Sequence, residues 1–230
     1  MKHLLLIAAV LLNLSFLSAQ DSDKGFTSLF DGKTLKGWKV TDENPTSFLV
    51  EDGAIVARGP RAHLFYMGAD GQADYKNFEL KLKARTTPGS NSGIYFHTEY
   101  QKSGWPGLGF EAQVNSTHSD PRKTGSLYGV VNIWAPEKVD ENFVVKVDKN
   151  REVFILKPSA PSKDNEWFDY HITVKDKHIV IRINGEIQVD WTQPDDWSKD
   201  RRIGHGTIGF QAHDPQSEAH FKDIKIKVLD

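Results

Sequence analysis

Period-two alternation of apolar and polar residues runs through this chain and restricts it to a β architecture. In "WFDYHITVKDKHIVIRINGEIQVDW", Phe168, Tyr170, Ile172 and Val174 alternate with polar residues. Ile179, Ile181 and Ile183 form a second run, and Ile187, Val189 and Trp191 a third. Asn184-Gly185 supplies the positive φ angles of a tight type I′ turn between the last two, so a three-stranded meander is expected. "NFELKLKAR" repeats the pattern, with Phe78, Leu80, Leu82 and Ala84 on one face and Glu79, Lys81, Lys83 and Arg85 on the other. Such a strand has one buried and one wet face. The C-terminal "AHFKDIKIKVLD" alternates likewise and is expected to pair near the start of the mature chain. Glycine and proline punctuate the chain at "TTPGSNSG", "GWPGLG" and "KPSAPS", with no internal repeat or linker-like tract. Many short strands between such turns predict an all-β sandwich of two antiparallel sheets.

The first residues stand apart from this pattern. "MKHLLLIAAVLLNLSFLSAQ" sets Lys2 and His3 before an apolar run from Leu4 to Leu17, then small residues up to Ala19. That is the layout of a secretory signal, expected at residues 1–19. The run is shorter than the roughly 20 residues that span a bilayer, and no later stretch is apolar enough, so no membrane span is expected. A single β-sandwich domain over residues 20–230, periplasmic or secreted, is the corresponding expectation. The chain has no cysteine, which removes disulfides, thiolate metal sites and a cysteine nucleophile together. With 29 basic and 31 acidic residues the net charge is −2, and "DPRK" and "DRR" read as solvated loop charge. Nucleic acid is not an expected partner.

Three segments break the water-facing rule. In "GIYFHTEY", Ile94, Phe96 and Thr98 oppose Tyr95, His97 and Glu99. In "GFEAQVN", Phe110, Ala112 and Val114 oppose Glu111, Gln113 and Asn115; in "TIGFQAHD", Ile208, Phe210 and Ala212 oppose Gly209, Gln211 and His213. If these strands are neighbours, their second faces make a concave sheet of amides, a carboxylate, a phenol and imidazoles, which suits sugar hydroxyls and ring C–H faces. Gly93, Gly109 and Gly209 are expected to lower the wall and leave room for a ligand. The competing reading leaves the same residues facing water. The unperturbed pKa of a histidine side chain, about 6.5, makes His97, His118 and His213 candidates for proton transfer near neutrality. The side chains at 97, 111, 118, 213 and 214 are also the ones that would have to gather for a divalent ion; nothing in the sequence requires a cofactor.

"FTSLFDGKTLKGWK", "NFELKLKARTTPGSNSGIYFH", "GFEAQVNSTHSDPRKTGSLYGV", "NEWFDYHITVKDKHIVIRINGEIQVDW" and "GTIGFQAHDPQSEAHFKDIKIK", in that order, resemble the DUF1080 family. That family comprises 3-keto-disaccharide hydrolases, also described as 3-keto-glucoside 1,2-lyases with 3-keto-2-hydroxy-glucal hydratase activity. The resemblance implies a concanavalin-like jelly-roll and a carbohydrate substrate already oxidised at C3. It also implies elimination followed by hydration, a net hydrolysis of the glycosidic bond. On the matching positions it implies His97 or His213 as proton carrier and Glu111 as base or as orienter of a histidine. Gln113, Lys123 and Tyr128 would be donors, with Tyr95, Trp105, His118 and Asp214 also at the substrate. Two other readings stay open: a glycan-binding module, with Trp105 as its ring, and a conventional glycosidase using Glu99 and Glu111 as paired carboxyls.

Overall fold

The computed structural model describes residues 23–136, 145–197 and 201–230; the expected signal lies outside the described residues. Sixteen strands are formed among the described residues. They are β1 (Thr27–Ser28), β2 (Trp38–Val40), β3 (Phe48–Glu51), β4 (Ala54–Arg58), β5 (Ala62–Tyr66), β6 (Phe78–Thr86), β7 (Ser92–Thr98) and β8 (Phe110–Val114). The second half adds β9 (Val131–Trp134), β10 (Val145–Val147), β11 (Val153–Leu156), β12 (Phe168–Lys175), β13 (His178–Ile183), β14 (Glu186–Thr192), β15 (Thr207–Ala212) and β16 (Glu218–Val228). No helix among the described residues is long and apolar enough to cross a membrane.

Two antiparallel sheets carry the fold. The larger runs β14-β13-β12-β6-β16-β4-β3, with β1 paired to β16, and the smaller runs β2-β5-β15-β7-β8. The expected meander is β12-β13-β14, with Asn184 and Gly185 both at positive φ in its turn. The ends of the domain meet as expected, Thr27 against Ile226 and Ser28 against Lys225. A third, three-stranded sheet, β10-β11-β9, was not expected, and its β11–β9 pair is parallel.

The core forms where the apolar faces of the two large sheets meet. Phe210 of β15 stacks on Phe221 of β16 with ring centroids 4.3 Å apart, and Phe78 of β6 meets Phe96 of β7 edge-on. Burial separates the sheets by character. Strand β6 alternates buried and half-buried residues, the signature of a sheet with one wet face, whereas every residue of β7, β8 and β15 is buried. The second face of the smaller sheet is therefore covered, by the turns that follow β7 and β8, and its polar residues are removed from bulk water. A buried polar group must find a partner or carry a penalty of about 1–3 kcal/mol, so this face is where chemistry concentrates.

Candidate active site

Strands β15, β7 and β8 are adjacent, which brings the three polar faces side by side. Register places Tyr95 opposite Glu111 and Gly93 opposite Gln113. Over them opens a cavity of about 310 Å³ lined by Asn91, Tyr95, Trp105, Pro106, Glu111, Gln113, Asp120, Tyr128, Arg201, Gln211 and His213. Burial of Glu111, Gln113 and Gln211 at 5 %, 2 % and 2 % exposure rules out the reading in which these residues merely face water.

Glu111 is clamped. The Tyr95 hydroxyl donates to its Oε2 at 2.9 Å, and the Gln211 amide donates to its Oε1 at 2.9 Å and to the Tyr95 hydroxyl at 2.9 Å. Burial pushes the Glu111 carboxyl up to about 7, although the bonds from Tyr95 and Gln211 and the charge of Arg201 pull the other way. Burial, with the neighbouring carboxylate, also raises Tyr95 well above its ordinary value, so it stays a donor. Gly93 makes the clamp possible: a Cβ there would lie 2.1 Å from Glu111 Oε1 and 2.8 Å from Cδ. The expected room is thus filled by the side chain of Glu111 itself. At Gly109 a Cβ would strike the Phe96 carbonyl oxygen at 2.3 Å, and at Gly209 it would meet β5, so neither opens space for a ligand.

His213 follows β15 and is oriented by its neighbour. Asp214 is bonded by the Ser217 hydroxyl at 2.8 Å and the Gln216 amide at 2.8 Å, and His213 Nδ1 lies 2.7 Å from its Oδ2. Burial pushes the Asp214 carboxyl up, but the bonds from His213, Ser217 and Gln216 outweigh it and hold it below the ordinary value. An ionised carboxylate can only accept, so Nδ1 carries the proton and Nε2 is left for the cavity. Asp214 orients the imidazole and does not line the cavity. Gln113 spends its amide nitrogen on Asn91 Oδ1 at 2.5 Å, leaving its buried Oε1 as an acceptor in place of the expected donor. Tyr128 is delivered by a segment bonded back onto β8, its amide on the Glu111 carbonyl. Its ring lies between Arg122 and Arg201, 4.5 and 5.3 Å from their guanidinium carbons.

Several expected residues lie elsewhere. His97 sits on a β-bulge: Thr207 pairs with Thr98 and Ile208 with Phe96, so His97 is skipped, at φ +53°. Its ring turns from the cavity, bonding the Lys76 carbonyl oxygen at 2.8 Å through Nε2 and accepting from the Gly204 amide at 3.2 Å through Nδ1. Burial pushes it down to about 4, so it is neutral. Glu99 lines a separate cavity together with His97 and His205, which parts it from Glu111 and removes the expected carboxyl pair. Lys123 is buried and donates to the His118 carbonyl at 2.6 Å, tying the turn after β8 instead of reaching a substrate. His118 is not a lining residue; its ring is 5.7 Å from that of His213, and its Nδ1 accepts from the Asp120 amide. Among the described residues, no three His, Asp or Glu side chains gather as a metal set, so those at 97, 111, 118, 213 and 214 do not form one.

Sequence reasoning passed over Asn91, Asp120 and Arg201. Arg201 belongs to the "DRR" taken for solvated charge, and only the folded chain brings its guanidinium against Tyr128. Gln211 was legible on the third polar face.

The sequence profile of the 3-keto-alpha-glucoside-1,2-lyase-like domain matches residues 25–227. The chain belongs to this family. It is 26% identical over 242 aligned residues to a 3-keto-disaccharide hydrolase of Bacteroides thetaiotaomicron, a match covering 91% of this chain and 80% of that protein. Among solved structures, it superposes on a candidate glycosyl hydrolase from Parabacteroides distasonis with a TM-score of 0.66 and 25% identity, covering 92% of this chain and 97% of that one. SCLam, a non-specific endo-beta-1,3(4)-glucanase of family GH16, matches with a TM-score of 0.55 at 12% identity, covering 88% of this chain and 91% of that one. That last likeness shows the fold alone, a concanavalin-like sandwich. Within the family fold, the cavity over β7, β8 and β15 is where this chain's buried polar groups converge.

Proposed function

We propose that the protein cleaves the glycosidic bond of a glycoside oxidised at C3, by elimination across C1–C2 and hydration of the resulting enone. The observation that carries this reading is the buried Glu111, held by Tyr95 and Gln211 with its pKa raised to about 7. A ketone at C3 acidifies the C2 proton, and a carboxylate of raised basicity is matched to remove it near neutral pH.

Glu111 takes the C2 proton and the electron pair moves toward the C3 oxygen. Arg201, whose charge acts on both Glu111 and Tyr95, is the cation available to that developing oxyanion. The pair then returns to form the C1–C2 double bond as the C1–O bond breaks, and His213, oriented by Asp214, delivers a proton from Nε2 to the departing oxygen. Water adds its hydroxyl at C1 and gives its remaining proton to His213 Nε2, while Glu111 returns its proton to C2, giving the free 3-keto sugar and restoring the site. A purely binding role would not call for a carboxylate of this kind beneath the sugar. Secretion ahead of residue 20 suits a substrate met outside the cytoplasm and stands as part of this proposal.

The test is direct. Purified protein is incubated with a 3-keto-glucoside and, separately, with its unoxidised parent. Release of the leaving group from the keto substrate alone is the expected result. Release from the parent makes the protein a conventional glycosidase, and binding of both without release makes it a lectin-like module; either outcome removes this proposal.

A further inference from the structure

Beneath the ring of Trp105 lies a histidine that the chemistry above does not use. His63 pairs with Gln211 across β5 and β15, is fully buried, and has no hydrogen-bond partner at either Nδ1 or Nε2. Its ring meets that of Tyr95 edge-on at 5.4 Å and that of Trp105 at 5.6 Å, so it stands between the floor of the cavity and its rim. Burial pushes the imidazole down to about 4, which leaves it neutral at physiological pH with one donor and one acceptor. Burying both without partners carries a desolvation penalty that nothing in this state repays. Arg61 shares the predicament. Its guanidinium carbon lies 5.1 Å from the Trp105 ring, one arm is paired with Glu43 at 2.9 Å, and its buried Nε is unpartnered.

The cover over these groups is built differently. Trp105 is 46 % exposed and lies between Gly104 and Gly109, both at positive φ. Its turn is closed by Gln101, which bonds the carbonyl oxygens of Ser103 and Trp105 and the Gly107 amide, and it is tied to the body through the Gly104 amide on Glu43. The indole can therefore lift while the turn stays folded. The cavity over Glu111, at about 310 Å³, is at the small end for a ligand site, so a second sugar ring has to extend past its rim. On the far rim Asp120 is paired with Arg122, and Tyr128 is enclosed by two guanidinium groups. Arg122 Nε is unpartnered on that rim as well, but on the Trp105 side a whole imidazole, His63, has neither of its two polar atoms bonded.

We propose that His63, Arg61 and Trp105 form a second sugar subsite, in which the leaving ring of a disaccharide displaces the indole from His63 and hydrogen-bonds the imidazole through its hydroxyls. The assignment deepens the glycoside-cleaving reading and rests on it for the identity of the ring. It makes His63 a residue that selects disaccharides over glycosides of small alcohols.

The experiment has two arms. In the first, the ring nitrogens of His63 are followed by NMR in the unaltered protein while an unoxidised glucose disaccharide is added; both resonances are expected to move. In the second, His63→Phe, which keeps a ring and removes both nitrogens, is assayed on a 3-keto disaccharide and on methyl 3-keto-glucoside. The ratio of kcat/KM for the disaccharide over the methyl glycoside is expected to fall about tenfold, the loss of one good hydrogen bond. Ring resonances that stay unmoved throughout the titration, or a ratio left unchanged by the substitution, overturn the subsite. If the resonances move but the unaltered protein cleaves neither keto substrate, the cleavage reading falls and the subsite stands.

Discussion

A carboxyl group buried between Tyr95, Gln211 and the bare backbone of Gly93 has its proton affinity set by that surrounding, and two pH dependences follow. As base, Glu111 must be ionised, so kcat/KM on a keto substrate should rise with pH through about 7. Glu111→Gln should lower kcat by roughly 10²–10⁴-fold, the ordinary contribution of a positioned base. Stability runs the other way. The folded chain holds this proton more tightly than the unfolded chain, so the contribution of Glu111 is fully present below its unfolded value of 4.5 and is lost as pH rises through about 7. Glu111→Gln should flatten that decline and leave the variant roughly 2–3 kcal/mol more resistant to urea at pH 8, relative to wild type, than at pH 4. Gly93→Ala is a separate check, because its methyl group collides with the carboxyl. Activity should fall by about 10² or more with the fold kept, as a displacement of 1 Å suffices for that; an active Gly93→Ala protein would show that the clamp is not needed. At this scale the sequence was informative where alternation alone decides orientation: Glu111, Gln113 and Gln211 fall on one face by counting. Arg201 was illegible, since its place depends on how a loop returns to the sheet.

Elements, not residues, decided where alternation fails. Counting by twos puts His97 beside Tyr95 and Glu111, but the bulge between β7 and β15 spends one extra residue and rotates His97 out of the series. Such a bulge has no signature in the local pattern, because a histidine at φ +53° is tolerated only where surrounding backbone fixes it. Gly206 is part of that fixing: a Cβ there would lie 2.4 Å from the Thr98 carbonyl oxygen. His97 therefore acts as a tie between the stretch before β6 and the stretch before β15. His97→Ala should lower stability by about 1–3 kcal/mol, two lost hydrogen bonds, and leave kcat on a keto substrate near wild type. A collapse of kcat in a folded His97→Ala protein would return this histidine to the reaction. Lys123 teaches the same lesson, for the turn after β8 bonds to itself through Asn115, His118 and Lys123, and its inward cation serves that turn.

At the scale of the whole molecule, two sheets share one apolar core and differ in what covers their second faces. The larger sheet leaves a wet face of lysines and glutamates, while the smaller is roofed by turns and so holds its carboxylate, amides and imidazoles out of water. The sandwich, its meander and the meeting of its ends were legible because period-two patterns and Asn-Gly turns report strands and hairpins directly. The small third sheet was not, since its parallel pair joins segments that no local pattern relates. Removing water from one face of one sheet is what turns a common scaffold into a site able to hold a neutral-pH base under a sugar. The measurement that bears on this most directly compares cleavage of a 3-keto-glucoside carrying deuterium at C2 with cleavage of its ordinary form. Slower cleavage of the labelled substrate is the predicted result; equal rates for the two forms would contradict removal of the C2 proton by Glu111.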